Sequence, residues 1–188
     1  MKPSSNEIAF IAYHEAGHVV ATYYLGWNVG EIYIMSIHGK YAGVSVSLTE
    51  HDPRAYVLDI SPYQYEFLVN QDKDDLINVL HNRALVLIAG QSAENIYANK
   101  PLSSLKDFTH SDRQDIHSDV HKLRVIESQL KNCLNNDLNI QTMITKCNDL
   151  IKANWDVVKA LAEALLSSSG LGIDQSQIEM LLGNLKNS

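Results

Sequence analysis

Cysteine is scarce in this sequence: Cys133 and Cys147 are the only two in 188 residues. They form no CxxC pair, which excludes a disulfide framework and a cysteine zinc knuckle and predicts reduced thiols in a cytoplasmic setting. Proline is rare as well, with four in the chain, and no low-complexity tract or linker marks a domain boundary. Positive charge is outnumbered. Lys and Arg total 15 against 22 Asp and Glu, for a net −7, which disfavours a nucleic-acid partner and leaves no basic patch for a membrane surface. No secretory pattern opens the chain in "MKPSSNEIAF". The run from Ile8 to Gly26 approaches membrane length, but three ionisable side chains within five residues of it argue against a lipid-facing span. No GxxxxGK[ST] phosphate loop is present.

What remains is a globular balance, 45% apolar and 20% charged, in a length suited to one domain. Ser4 and Glu7 make a capping box, and a helix then runs to about Leu25 and stops at Gly26. "VGEIYIMSIHGKYAGVSVSL" reads as a β-hairpin about His38-Gly39-Lys40. Residues 49–62 contain Pro53 and Pro62 and read as loop, with a weak helix over 63–69. A long helix follows in "DKDDLINVLHNRALVLIAGQSAENIYANKP", with acidic residues at its positive end and Pro101 beyond its end. Residues 101–110 read as loop, and a further helix runs from near Ser111 to about Asn132. "NIQTMITKCNDLIKANWDVVKALAEALLSS" reads as one long amphipathic helix broken by Gly170 and Gly172, and Asp174 caps a last short helix. The expected fold class is mainly α (α+β), with a small β-hairpin or sheet near the first helix.

The chemistry sits in "IAYHEAGHVVATYYLG". His14 and His18 are four apart, so on a helix both imidazoles leave from one face and can converge on one tetrahedral ion. Glu15 leaves about 100° away, which disfavours it as a ligand and leaves it free to reach a water held by the ion. This is the HExxH arrangement of two metal ligands and a general base. With eight histidines, random placement gives about 0.016 expected matches, so chance is a poor account of it. Burial adds to the case. Ile11, Ala12, Val19, Val20 and Ala21 make the helix core-like, and three unpartnered ionisable groups there would cost several kcal/mol. A catalytic site needs a third protein ligand. Tyr24 stands where HExxHxxGxxH would place a histidine, so that ligand comes from farther along.

"AYHEAGHVVATYYLG" resembles the catalytic helix of the FtsH family, the zinc peptidase half of membrane-anchored AAA+ proteases. The likeness continues in order over nearly the whole chain. "GEIYIMSIHGKYAGVSV" is similar to that family's strand-turn-strand, "LIAGQSAENIY" to its GGRxAEE helix with Gln91 in place of arginine, and "IKANWDVVKALAEALLSSSGLGIDQSQIEMLL" to its C-terminal helical closure. The resemblance implies one peptidase domain over 1–188, with a catalytic part at 1–132 and a C-terminal helical part at 133–188. It implies a Zn2+ cofactor and hydrolysis of unfolded or extended polypeptide substrates. The family's third zinc ligand is an aspartate in a TGASND motif at a helix start. The matching stretch here is "KDFTHSDRQDIHSDV", which lacks the glycine. Asp112 is preferred because Ile116, Val120 and Leu123 follow it at four, eight and eleven residues. Asp115 is the rival, since Asp115-Ile116 mimics the family's Asp-Leu pair, and Asp119 and Asp107 are more distant choices. Glu94 is implied as the partner that holds a ligating histidine.

His117 and His121 also stand four apart, but Ser118 gives that pair no base, and it reads as a solvated face. His38, His51 and His81 carry no pattern. Without a phosphate loop, the chain is expected to act as a stand-alone peptidase or with a separate ATPase partner, and a homo-oligomer stays open. The alternative reading is a catalytically silent FtsH-like binding or scaffold domain. The intact Glu15 speaks against it, and the degenerate third-ligand stretch speaks for it.

Overall fold

The computed structural model describes residues 5–37, 40–48, 73–104, 107–108, 118–168 and 171–185. The expected cap Ser4, the turn residues His38 and Gly39, the loop at 49–62 and the weak helix at 63–69 lie outside them. The described residues are mainly helical with one small antiparallel sheet. The elements are α1 (Ser5–Tyr24), β1 (Asn28–Ile37), β2 (Lys40–Leu48), α2 (Lys73–Tyr97), α3 (Asp119–Leu134), α4 (Ile140–Ala153), α5 (Trp155–Ser167), β3 (Gly172–Ile173) and α6 (Gln175–Leu185).

α1 ends as its sequence requires. Gly26 takes φ +73°, its N–H donates to Tyr23 O, and the next N–H, from Trp27, donates to Thr22 O. That pair of bonds is the Schellman closure, which needs a left-handed residue at the position glycine fills without steric cost. α2 ends the same way on Asn99, at φ 53°, with Lys100 N–H donating to Asn95 O.

α2 is the central element. Its residues from Val86 to Asn95 are all buried, so it is enclosed by α1, α3 and α4. α1 crosses it at small residues. A Cβ on Gly17 would lie 2.8 Å from Ala93 Cβ and 3.0 Å from the Ala89 carbonyl carbon. The two backbones therefore approach to a distance that only glycine against alanine permits. Buried side chains from Ile11 to Leu182 join in one cluster, and each fully buried leucine in it contributes about 1.5–3 kcal/mol of transfer free energy.

The sheet has the order β2-β1-β3. β1 and β2 pair antiparallel from Asn28↔Leu48 to Ile37↔Lys40, with an extra β1 residue bulged between Val29 and Ile32. β1 buries Ile32 and Ile34, and the sheet packs that face on α1. The two-residue strand β3 pairs with β1 through Ile32↔Ile173 and Tyr33↔Gly172. Sequence reading treats this stretch only as a helix break, because a two-residue strand leaves no period to read.

Two helix boundaries differ from expectation. The long helix expected across 139–168 is two helices, α4 and α5, parted at Asn154, whose φ is −114°. There the Asn154 amide Nδ2 donates to Leu150 O at 2.8 Å. A side chain that bonds back to the preceding turn competes with helix continuation. The apolar stripe hides this break, because Ile151 and Val158, both buried, are seven residues apart and keep helical register. The second difference is at α3. Within the described residues it starts at Asp119 with Ser118 as its N-cap, in extended backbone and accepting from His121 N–H. The last helix follows the reading, with Asp174 Oδ1 accepting from Gln177 N–H and Gln177 Oε1 accepting from Asp174 N–H, a reciprocal cap. No helix among the described residues is long and apolar enough to cross a membrane.

Candidate metal centre

The centre is built where α1 faces α2 and the start of α3. His14, Glu15 and His18 project from the middle of α1, in a stretch where Ala12, Ala16, Val19 and Ala21 are buried. The i, i+4 spacing sets the two imidazoles edge to face, with ring centroids 4.7 Å apart and planes at 83°. Their Nε2 atoms converge on one carboxylate oxygen. Asp119 Oδ2 lies 3.1 Å from His14 Nε2 and 3.2 Å from His18 Nε2. Among the described residues, His14, His18 and Asp119 form a group able to hold a metal ion.

The expected third ligand Asp112 and its rival Asp115 lie outside the described residues. Among the described residues, Asp119, a more distant choice in the sequence, brings its carboxylate to Nε2 of both imidazoles. The physical reason lies in the helix start. Ser111-Asp112 and Ser118-Asp119 are the same dipeptide seven residues apart, and a helix returns nearly to the same face after seven residues. The sequence therefore offers two equivalent starts. The cap at Ser118 places Asp119 in the first turn of α3, where free backbone N–H groups favour an anion. The stripe then reads Leu123, Ile126 and Leu130, all buried, at four, seven and eleven residues from Asp119. That stripe was the available signal. The other distant choice, Asp107, is instead held by Ser103 and Ser104, and these hydrogen bonds lower its pKa.

Both ligand rings are fixed from behind. His18 Nδ1–H donates to the Val86 carbonyl of α2 at 2.8 Å, so when the ring is neutral its Nε2 carries the lone pair that faces the cluster. His14 Nδ1 lies 3.3 Å from Glu94 Oε2, and Glu94 is itself buried on α2. The Val86 contact was invisible in the sequence, because a backbone carbonyl has no residue signature. α2 also provides clearance. A Cβ on Gly90 would lie 2.5 Å from His18 Nε2 and 2.8 Å from His14 Nε2, so any larger residue would intrude on the coordinating edge of both rings. Asp119 Oδ1, the oxygen turned from the imidazoles, lies 3.7 Å from Lys122 Nζ.

The electrostatics call for a cation. Burial works against charging His14, but hydrogen bonds to Asp119 and Glu94 and the nearby charges of Asp119 and Glu15 override it, and its pKa is pushed up to about 10. Burial likewise opposes ionising Asp119, yet the His18 charge and the His14 hydrogen bond hold its carboxyl well below the usual carboxylate range. A proton on His14 or a bound cation would each offset the carboxylate charge gathered there.

The donor set fits a tetrahedral divalent ion. Among the described residues, two imidazole nitrogens and one carboxylate oxygen would be three of the four ligands such an ion takes. Ligand arms of about 2.0–2.1 Å set tetrahedral edges of about 3.3 Å, close to the two observed separations. The side chains of His14, His18 and Asp119 are 15%, 9% and 16% exposed, so the centre is neither sealed nor open to bulk water on all sides. Glu15 is buried against β2, with its carboxylate over Gly43. Compared with known proteins, the chain matches no family model and no curated protein.

Proposed function

We propose that this protein is a zinc-dependent metalloendopeptidase of FtsH type that cleaves extended or unfolded polypeptides. The observation that carries the reading is the convergence of His14 Nε2, His18 Nε2 and Asp119 Oδ2 on a helix whose next residue, Glu15, is buried beside them.

His14, His18 and Asp119 hold the ion, and the Val86 carbonyl and Glu94 fix the two rings. A zinc ion bound there supplies Lewis acidity, which lowers the pKa of a coordinated water toward 7 and polarises a carbonyl oxygen. Glu15 accepts the proton of the attacking water and returns it to the leaving amine nitrogen. Its burial limits competition from bulk solvent for that proton. Among the described residues β2 is an edge strand in the order β2-β1-β3, and its outer side over Tyr41 to Ser47 can accept an extended substrate as a further strand. Strand addition aligns backbone and not sequence, which suits unfolded substrates.

The reading expects about one zinc per chain and cleavage of casein by the zinc-loaded protein. Glu15→Gln keeps the metal and loses about 10²- to 10⁴-fold in rate, because it removes a proton acceptor and no ligand. Elemental analysis of reconstituted protein and a casein assay check both. Zinc bound without cleavage by the parent is the outcome that replaces this reading with the catalytically silent scaffold, and cleavage by Glu15→Gln at the parent rate removes Glu15 from its role.

A further inference from the structure

We propose that Gly43 is a positioning residue for Glu15, a role that rests on the peptidase reading above. The space left by its missing side chain is where the carboxylate sits. A Cβ built on Gly43 would lie 2.5 Å from Glu15 Cγ and 2.7 Å from Cδ, and closer still to Oε1.

A glycine inside a strand costs stability, so it asks for a reason. Backbone freedom does not provide one here. Gly26 is the glycine with positive φ among the described residues, and Gly43 sits in regular antiparallel pairing opposite Ile34. Cross-strand partners share a face, and Ile34 is buried, so Gly43 faces inward toward α1. Clearance is the reason that remains. The strand passes directly over the base, and the three nearest atoms to the built Cβ all belong to Glu15.

The arrangement divides the work between two glycines. Gly90 of α2 clears the imidazole edges, and Gly43 of β2 clears the carboxylate. A methyl group at Gly90 therefore disturbs the metal, whereas one at Gly43 disturbs the base and leaves the metal in place. It pushes the Glu15 carboxylate out of its berth, and β2 cannot retreat without breaking its pairing to β1.

The test is a double-mutant cycle with two readouts. The first is thermal unfolding of the metal-stripped protein, which needs no activity. Gly43→Ala lowers Tm in the parent and not in the Glu15→Ala background, where the colliding atoms are gone. The second is kinetics on the zinc-loaded protein. Gly43→Ala keeps one zinc per chain, loses about tenfold or more in kcat and keeps KM within about twofold. Glu15→Asp, whose carboxylate is one carbon shorter, costs less in the Gly43→Ala background than in the parent. Gly90→Ala instead loses zinc affinity. Equal Tm loss from Gly43→Ala in both backgrounds, an unchanged kcat, or a rise in KM alone overturns the proposal. A zinc-loaded parent that does not cleave overturns the peptidase reading instead, and the Tm cycle then still decides whether Gly43 sets the place of Glu15.

Discussion

At the scale of single residues, the centre turns on which carboxylate completes it. Asp119 Oδ2 faces two imidazole nitrogens at 3.1 and 3.2 Å, and an anion in that place lowers the cost of bringing a divalent cation into a partly buried cluster. Asp119→Ala is expected to weaken zinc binding more than Asp112→Ala or Asp115→Ala. Glu94→Ala should cost about 10- to 100-fold, the usual size of a loss behind a ligating histidine. Competition with a chromophoric chelator ranks the four variants. A larger loss from Asp112→Ala than from Asp119→Ala would move the ligand to the earlier Ser-Asp pair. Neither the Val86 carbonyl nor the clearance at Gly90 could be read from residue identity, because each acts through backbone brought close by packing.

At the scale of elements, the crossing of α1 and α2 sets where the two histidines point. Gly17 lies against the Ala89 carbonyl and Ala93, one residue from His18 and within a turn of His14. Two effects of Gly→Ala oppose each other there. Helix propensity gains about 0.8–1 kcal/mol. Overpacking against a backbone that cannot yield costs about 1–3 kcal/mol, and a shift of α1 would also disturb the centre. Overpacking wins, so Gly17→Ala should lower Tm and weaken zinc binding together. Gly183 on α6 has nothing within 4 Å of its would-be Cβ, and there the same substitution should leave Tm unchanged or raise it by a few degrees. Calorimetry of both variants checks the contrast. The broken helix at Asn154 belongs to this scale too. Its stripe was legible and its break was not, because an apolar period reports which face is buried and says nothing about a side chain bonding back to its own turn.

At the scale of the whole molecule, the centre ties α1, α2 and α3 to one another, so metal occupancy should stabilise the fold. A ligand at a thousand times its Kd adds about 4 kcal/mol, and stripping zinc with a chelator should lower Tm by several degrees. The stripped protein carries its own pH signature. His14 is raised from 6.5 to about 10, so its contribution is complete below pH 6.5 and disappears as pH rises through 10. Asp119 is lowered from 3.8, so its contribution is complete above about that pH and disappears as pH falls below it. The metal-free Tm should therefore peak between about pH 4 and 6.5 and fall toward pH 10. The zinc-loaded protein should do the reverse at the acid end, releasing metal as protons compete for the imidazoles. A pH series of unfolding scans on both forms checks the crossover.

The sequence by itself determined the parts whose geometry is local. Two histidines four residues apart share a helix face in any fold, so the pair and its flanking Glu15 were readable at once. The helical class and most helix ends were readable too, from apolar period and from Gly26 and Asp174 at the caps. What only the tertiary structure decided is what meets those side chains from far away. Asp119 is 105 residues from His14, Val86 is 68 from His18, and Gly43 reaches Glu15 across a hairpin. Ser111-Asp112 and Ser118-Asp119 read alike one after the other, and it is the packing of α3 on α2 that brings Asp119 to the imidazoles. Helix periodicity fixes a side chain's direction relative to its neighbours in the chain. The distance between two elements is set by the core that lies between them.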